Sequence, residues 1–200
     1  MSKSLVLGTR NPGKVIEITN ILADSGCSFC SLEEFVNVEV AEENRNTYGD
    51  NAIAKARFYA LATGLWALAD DSGLEVEALG GAPGVFSARY AGETASDADR
   101  RVLLLSELAK TGDDDRRARF VAAVAIANAA GELLNVSEGV CEGTITFGPR
   151  GDGGFGYDPL FIPNGYNQTF AELPENVKNR ISHRARALMQ TKLFLQSIKS

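Results

Sequence analysis

Near the amino terminus an apolar run, Leu5-Val6-Leu7, stops at Gly8, and after a polar loop an amphipathic stretch follows from Lys14 to Ala23. Val15, Ile18, Ile21 and Leu22 recur there at helical spacing. A strand that hands over through a tight loop to a helix needs a sheet on one side and a covering layer on the other. The rest of the chain keeps this mixture. Asp50 to Thr63 reads as an alanine-rich helix, with Ala52, Ile53, Ala56 and Tyr59 or Ala60 on one face. Leu65 to Ala69 reads as a short buried strand, and Leu74 to Leu79 alternates as a second one. Ser96, with Asp97 and Asp99 behind it, starts a helix that runs to Lys110. Arg119 to Asn128 and Leu133 to Phe147 form two strands of a hairpin turning near Ala130-Gly131. A glycine-rich loop fills Gly148 to Gly156, and Ser182 to Ile198 is a final helix capped by Ser182. No repeat, linker or boundary divides the sequence. The expectation is one domain over residues 1–200, of mixed α/β class, with hairpin strands beside some parallel pairing.

Charge narrows the partners. The 200 residues carry 20 lysines and arginines against 26 aspartates and glutamates, a formal charge of -6. Such a field repels nucleic-acid phosphates, so no general nucleic-acid partner is expected, although a local basic pocket for a small anion remains compatible. The apolar run before Arg10 is too short for a signal peptide. The longest uncharged apolar run, Phe120 to Gly131, is too short to span a bilayer. A soluble intracellular protein without a membrane partner is expected. Three cysteines argue against a disulfide framework. Cys27 and Cys30 form a C-x-x-C, but its context of Phe29, Leu32 and Phe35 reads as a strand, where residues three apart point to opposite faces. No second pair completes a zinc site, so these are expected to be structural thiols. The Asp113-Asp114-Asp115 run reads as a solvated turn.

Four segments carry chemistry. Gly8-Thr9-Arg10-Asn11-Pro12-Gly13-Lys14-Val15 matches a P-loop pattern except that Val15 stands where a magnesium-binding hydroxyl belongs. A helix N-terminus with Arg10 and Lys14 still suits a polyphosphate, while an ordinary strand–turn–helix joint is the plainer reading. Any metal must then be held elsewhere. Glu42-Glu43 and Asp70-Asp71-Ser72-Gly73, the latter directly after a buried apolar strand, offer hard oxygen donors that favour magnesium over zinc. The plainer reading of the aspartates is a capped turn. Gly153-Gly154-Phe155-Gly156-Tyr157-Asp158-Pro159 leaves an aromatic face open for stacking on a base, or is a turn with two core aromatics. Lys178-Asn179-Arg180-Ile181-Ser182-His183-Arg184-Ala185 places the only histidine beside three cations at the start of the last helix. Cations there oppose the helix dipole unless an anion or a base carbonyl is bound.

Six motifs occur together in order: Thr9 to Lys14, Ala69-Asp70-Asp71-Ser72-Gly73-Leu74, Gly81-Ala82-Pro83-Gly84, Ser87-Ala88-Arg89-Tyr90-Ala91-Gly92, Phe155 to Pro159, and Ser182-His183-Arg184. In this combination the chain resembles the inosine/xanthosine triphosphate pyrophosphatases, from about residue 4 to residue 195. It departs from the family at Arg10 and in the stretch from Glu42 to Ala52, while Glu43, Thr47 and Asn51 stay in place. The resemblance implies an elongated central sheet with flanking helices, two lobes around an active-site cleft, and a cytoplasmic homodimer. It also implies magnesium-dependent hydrolysis of aberrant purine nucleoside triphosphates (ITP, dITP and XTP) to the monophosphate and pyrophosphate. By the same resemblance Thr9, Arg10, Asn11, Pro12, Gly13, Lys14 and Lys178 contact the substrate, chiefly its phosphates. Glu43 and Asp71 hold Mg2+, Asp71 also accepts the proton of the attacking water, and Ser72 touches the nucleotide. Phe155, Gly156, Tyr157 and Asp158 line the base pocket, and His183 and Arg184 read the base edge. A septum-inhibitor type pyrophosphatase would share the loop and the acidic pair, and a non-catalytic nucleotide sensor would need no water-activating carboxylate.

Overall fold

The computed structural model describes residues 3–198. Its strands are β1 (Ser4–Leu7), β2 (Ser28–Ser31), β3 (Trp66–Val76), β4 (Arg117–Ala127), β5 (Leu133–Ile145) and β6 (Phe161–Pro163). Its α-helices are α1 (Pro12–Leu22), α2 (Tyr48–Thr63), α3 (Asp97–Thr111), α4 (Glu175–Ile181) and α5 (His183–Ser197). The strands form one mixed sheet in the order β2-β1-β3-β4-β5-β6. β1 pairs parallel with both β2 and β3, in register Leu5 to Phe29 and Leu5 to Trp66, because α1 and α2 carry the chain back between them. β5 and β6 pair antiparallel. β4 and β5 are hydrogen-bonded neighbours joined by a short turn closed between Asn128 and Glu132, which only an antiparallel pair allows. The mixed α/β class read from the sequence is the class observed.

The chain gathers into two compact units, residues 1–71, 122–139 and 183–200 in the first, and residues 72–121 and 140–182 in the second. Each has its own apolar core. In the first, Leu5, Leu7, Ile18, Leu22, Leu68 and Leu188 bury together, with α1 packed on α5. In the second, Leu74, Val76, Leu104 and Leu108 pack with Phe120, Phe161 and Phe170. Phe120 meets Phe161 edge-on at 4.7 Å between ring centres, the geometry that aromatic quadrupoles favour.

The structure differs from the sequence reading in three places that matter for the site. The strand expected to end at Ala69 continues unbroken through Asp70-Asp71-Ser72-Gly73 to Val76, and residues 77–79 form a 3-10 turn. Aspartate and glycine disfavour strands, yet buried cations around Asp70 make the extended backbone tolerable there. The cations of residues 178–180 do not open the last helix. They close a separate short helix, α4, with Lys178 and Arg180 in its last turn, where the dipole favours them. Ser182, in extended conformation, separates α4 from α5. Cys27 precedes β2 rather than joining it, and Cys27, Cys30 and Cys141 are all free thiols.

Candidate active site

The first unit assembles a network of buried charges, beginning with the loop after β1. Gly8 donates its N–H to the Leu68 carbonyl at 2.7 Å. A Cβ at Gly8 would lie 2.7 Å from Tyr59 Cδ2 and 2.9 Å from Ala69 Cβ, so only glycine lets the loop leave the sheet here. Thr9 Oγ1 accepts from the Asn11 N–H, and Asn11 Oδ1 caps α1 by accepting from the Lys14 N–H at 3.1 Å. Pro12 opens the helix, where its missing N–H costs nothing, and Gly13 follows it. Arg10 turns aside and donates to the Val38 carbonyl at 2.6 Å.

Lys14 reaches back to β3, its Nζ 3.1 Å from Asp70 Oδ2. Arg184, from the first turn of α5, donates Nε to the same oxygen at 3.1 Å and Nη1 to Glu17 Oε2 at 2.5 Å. Burial alone would raise the Asp70 carboxyl, but Lys14, Arg184 and Lys55 outweigh it and hold the group well below the usual carboxylate range. Lys14 is pulled down by burial and by the neighbouring Lys55 and Arg184, against the attraction of Asp70. Successive strand residues face opposite ways, so Asp71 escapes this arrangement. Its Oδ2 accepts from Asn51 Nδ2 at 2.9 Å. Burial pushes the Asp71 carboxyl up, Lys55 and Lys14 draw it down, Glu43 raises it again, and the net direction is up. A carboxylate lifted in this way is a better proton acceptor near neutral pH.

Asn51, a position the family resemblance leaves in place, is given no role by the sequence, and Lys55 is not singled out there. Both lie on the inward face of α2, one turn apart. Asn51 accepts from the Arg45 N–H at 2.9 Å, so one side chain ties residue 45 to Asp71. Lys55 Nζ pairs with the Glu43 carboxylate and donates to the Asp70 carbonyl at 2.8 Å. A polar pair inside a helix face otherwise lined by alanine and tyrosine is the signal that could have found them. The Asp70 carboxylate is turned toward Lys14 and Arg184, while that of Asp71 is held by Asn51. Among the described residues no group of three His, Cys, Asp or Glu is arranged to hold a metal by itself.

The second unit brings together Phe155, Asp158 and Lys178. Lys178 Nζ donates to Asp158 Oδ2 at 2.5 Å and lies 4.7 Å from the centre of the Phe155 ring. The same Asp158 oxygen accepts from the Phe155 N–H at 2.9 Å, so the carboxylate organises the loop. Lys178 thus stands beside the aromatic loop, within the second unit. Tyr157 turns inward and donates its hydroxyl to the Ser87 carbonyl at 3.0 Å. Ser72 is half-buried on β3. His183 and Arg184 are buried in the first unit, at 3% and 2% exposure.

A half-buried helix-start lysine and an oriented carboxylate in the first unit, and an aromatic loop in the second, are each the kind of part found in proteins that handle phosphorylated small molecules. Comparison with known proteins makes this particular. Residues 5–194 match the model of the Ham1 family. The chain is 50% identical over 194 residues to a dITP/XTP pyrophosphatase of Desulforamulus reducens, covering 97% of this chain and 96% of that one. It is 48% identical to the dITP/XTP pyrophosphatase of Thermus thermophilus over 92% of this chain and 87% of the other. The solved structure of a HAM1 protein from Coxiella burnetii superposes with a TM-score of 0.89 at 44% identity, covering 98% of this chain and 99% of that one. The chain belongs to the Ham1 family.

Proposed function

We propose that this chain hydrolyses aberrant purine nucleoside triphosphates, ITP, dITP and XTP, to the nucleoside monophosphate and pyrophosphate. The observation that carries this reading is Asp71, a buried carboxylate with a raised pKa, oriented by Asn51 beside a cluster of buried cations. The bond that breaks joins the α- and β-phosphates. Asp71 takes the proton of the attacking water, and Lys14 with the residues 9–13 loop bears the phosphate charge.

Glu43 and Asp71 would hold magnesium. The donors fit it: both are hard oxygens, and Mg2+ is commonly held by one or two carboxylates with phosphates and water completing the shell. Lys14, Lys55 and Arg184 face Glu17, Glu43, Asp70 and Asp71, which leaves one carboxylate in excess to meet a cation. When bound, the ion supplies charge neutralisation on the polyphosphate. Ser72 contacts the nucleotide. Phe155, Gly156, Tyr157 and Asp158 line the base pocket, with Tyr157 held from within by its bond to Ser87, and Lys178 beside them contacts the substrate, chiefly its phosphates. His183 and Arg184 read the six-oxo edge of the base, and Arg184 also bridges Asp70 and Glu17. The protein works as one functional domain, as a homodimer, in the cytoplasm. Among the described residues no helix is long and apolar enough to cross a membrane.

A substrate panel tests the reading. Pyrophosphate release from dITP, ITP and XTP, well above that from dATP and abolished by a chelator, is the expected result. Release of single phosphates, or equal rates on every nucleotide, would overturn it.

A further inference from the structure

The Ser87 to Gly92 motif has no part in the chemistry above, and the second unit shows where it is fastened. Gly156, between Phe155 and Tyr157, has φ +59°. Its N–H donates to Asp97 Oδ2 at 2.7 Å, and its carbonyl accepts from Arg101 Nη1 at 2.7 Å. Asp97 and Arg101 stand four residues apart on α3, hence on one face of it. Gripping a residue by the peptide groups on both sides fixes its φ and ψ together. Glycine is the residue with most freedom to lose, so this is where the loop would otherwise be loosest.

The grip is itself braced. Arg100 Nη2 donates to Asp97 Oδ1 at 2.5 Å, while Arg100 Nη1 donates to the carbonyls of Ala88 and Ala95 at 2.8 and 2.7 Å. Tyr157 adds its hydroxyl bond to the Ser87 carbonyl. The segment containing Ser87 and Ala88 and the loop containing Phe155 are therefore both fastened to the start of α3. The Ser96 capping box, in which Asp99 returns the bond to Ser96, keeps that helix start in place.

We propose that Asp97 and Arg101 are positioning residues that lock Gly156, and through it the Phe155 ring, in the conformation that receives the purine base. This rests on the reading of residues 155–158 as the base-side loop. Both side chains act on the loop backbone, and neither is among the residues given a phosphate or proton-transfer role above, so their loss is expected to fall on base affinity and leave the hydrolytic step alone. A loosened supporting contact weakens a site without removing it.

The test uses Asp97→Ala, Arg101→Met and the milder Asp97→Asn and Arg101→Lys. The Asp97→Asn change retains an oxygen that accepts from the Gly156 N–H. Steady-state pyrophosphate release gives KM and kcat for dITP and dATP, and calorimetry gives Kd for inosine and for inorganic pyrophosphate. For Asp97→Ala and Arg101→Met, KM for dITP and Kd for inosine are expected to rise about tenfold, the low end for a lost pocket contact. The expected kcat and pyrophosphate Kd are unchanged, and Asp97→Asn restores most of the loss. Wild-type KM and inosine Kd in folded variants would overturn the proposal, as would a parallel loss of kcat and pyrophosphate affinity. Should the stronger variants fail to fold, the milder pair decides by the same measurements. A wild-type protein that releases no pyrophosphate from dITP or XTP overturns the proposed function instead, and inosine binding then decides this inference alone.

Discussion

Two buried aspartates, Asp70 and Asp158, solve the same problem in different ways. Asp70 lies in the first unit against Lys14 and Arg184, with Lys55 on its own carbonyl and Glu17 and Glu43 beyond. Asp158 lies in the second unit with Lys178 and a loop N–H, and Lys178 also faces the Phe155 and Phe170 rings. The first arrangement is an extended network whose charges change one another's protonation. The second is a single pair beside aromatic surface. A network of that kind is suited to a multiply charged group and to proton transfer. A neutralised pair with a ring alongside is suited to holding a flat, uncharged group.

The largest effect expected from breaking this contrast is at Asp71. Asp71→Asn keeps an oxygen for Asn51 but removes the charge and the base. Pyrophosphate release should fall by at least about 100-fold, the low end for loss of a general base. Denaturation midpoints measured on the same samples should stay near wild type. Retained turnover would remove Asp71 from the chemistry and leave the network a structural one.

Arg184 sharpens the contrast in stability. Arg184→Met leaves Asp70 and Glu17 buried without their shared cation, a change of about 3–5 kcal/mol for a broken buried pair. Lys178→Met takes the cation from one buried carboxylate, Asp158, rather than two, so urea denaturation should show the smaller loss there. The network also makes a pH prediction. Asp70 titrates below its unfolded value, so its contribution is complete above about pH 4 and is lost as pH falls toward the folded value. Arg184→Met should flatten that acid limb. A stable Arg184→Met protein whose preference for dITP over dATP has narrowed would put base reading ahead of the Asp70 bridge.

How much of this is legible in the sequence depends on distance along the chain. The class, the loop after β1, the capped start of α3 and the hairpin near Gly131 are local patterns, and each is found where it is expected. β3 reads as two strands because Asp70, Asp71 and Gly73 carry turn propensities, and the cations that override them come from residues 14, 55 and 184. Lys55 is not singled out by the sequence because nothing adjacent to it shows that Glu43 and the Asp70 carbonyl are its partners. The separate helix α4, which holds Lys178, goes unread because Ser182, the break between α4 and α5, reads as the cap of the last helix. Tyr157 stands in a motif that suggests an open aromatic, and only tertiary packing turns its hydroxyl toward Ser87.

Lys14 separates phosphate binding from the integrity of the network. Lys14→Ala should weaken triphosphate binding by at least about tenfold, the order of one charge-assisted contact, and leave inosine affinity nearly unchanged. Titrating inosine and its triphosphate against both proteins reads the difference. Equal losses would mean that Asp70, deprived of one cation, has rearranged the loop.

The smallest effect belongs to the second unit, at Tyr157. Tyr157→Phe keeps the ring in the core and removes the hydroxyl bond to the Ser87 carbonyl, a loss of about 1 kcal/mol for one buried hydrogen bond. Burial raises the folded tyrosine pKa well above its ordinary value, with Arg100 opposing and Tyr90 and Asp97 adding to the rise. Above about pH 10 the unfolded tyrosine gives up its proton while the folded one keeps it, so the wild type loses stability there as pH climbs. The phenylalanine variant lacks that slope. Urea denaturation at pH 8 and again above pH 10 should therefore show the wild-type advantage at the lower pH and its shrinkage at the higher. An advantage that stays constant across the two would mean that the hydroxyl ionises as freely in the fold as outside it, and the inward anchor of the base-side loop would have to be sought at Asp97 and Arg101 alone.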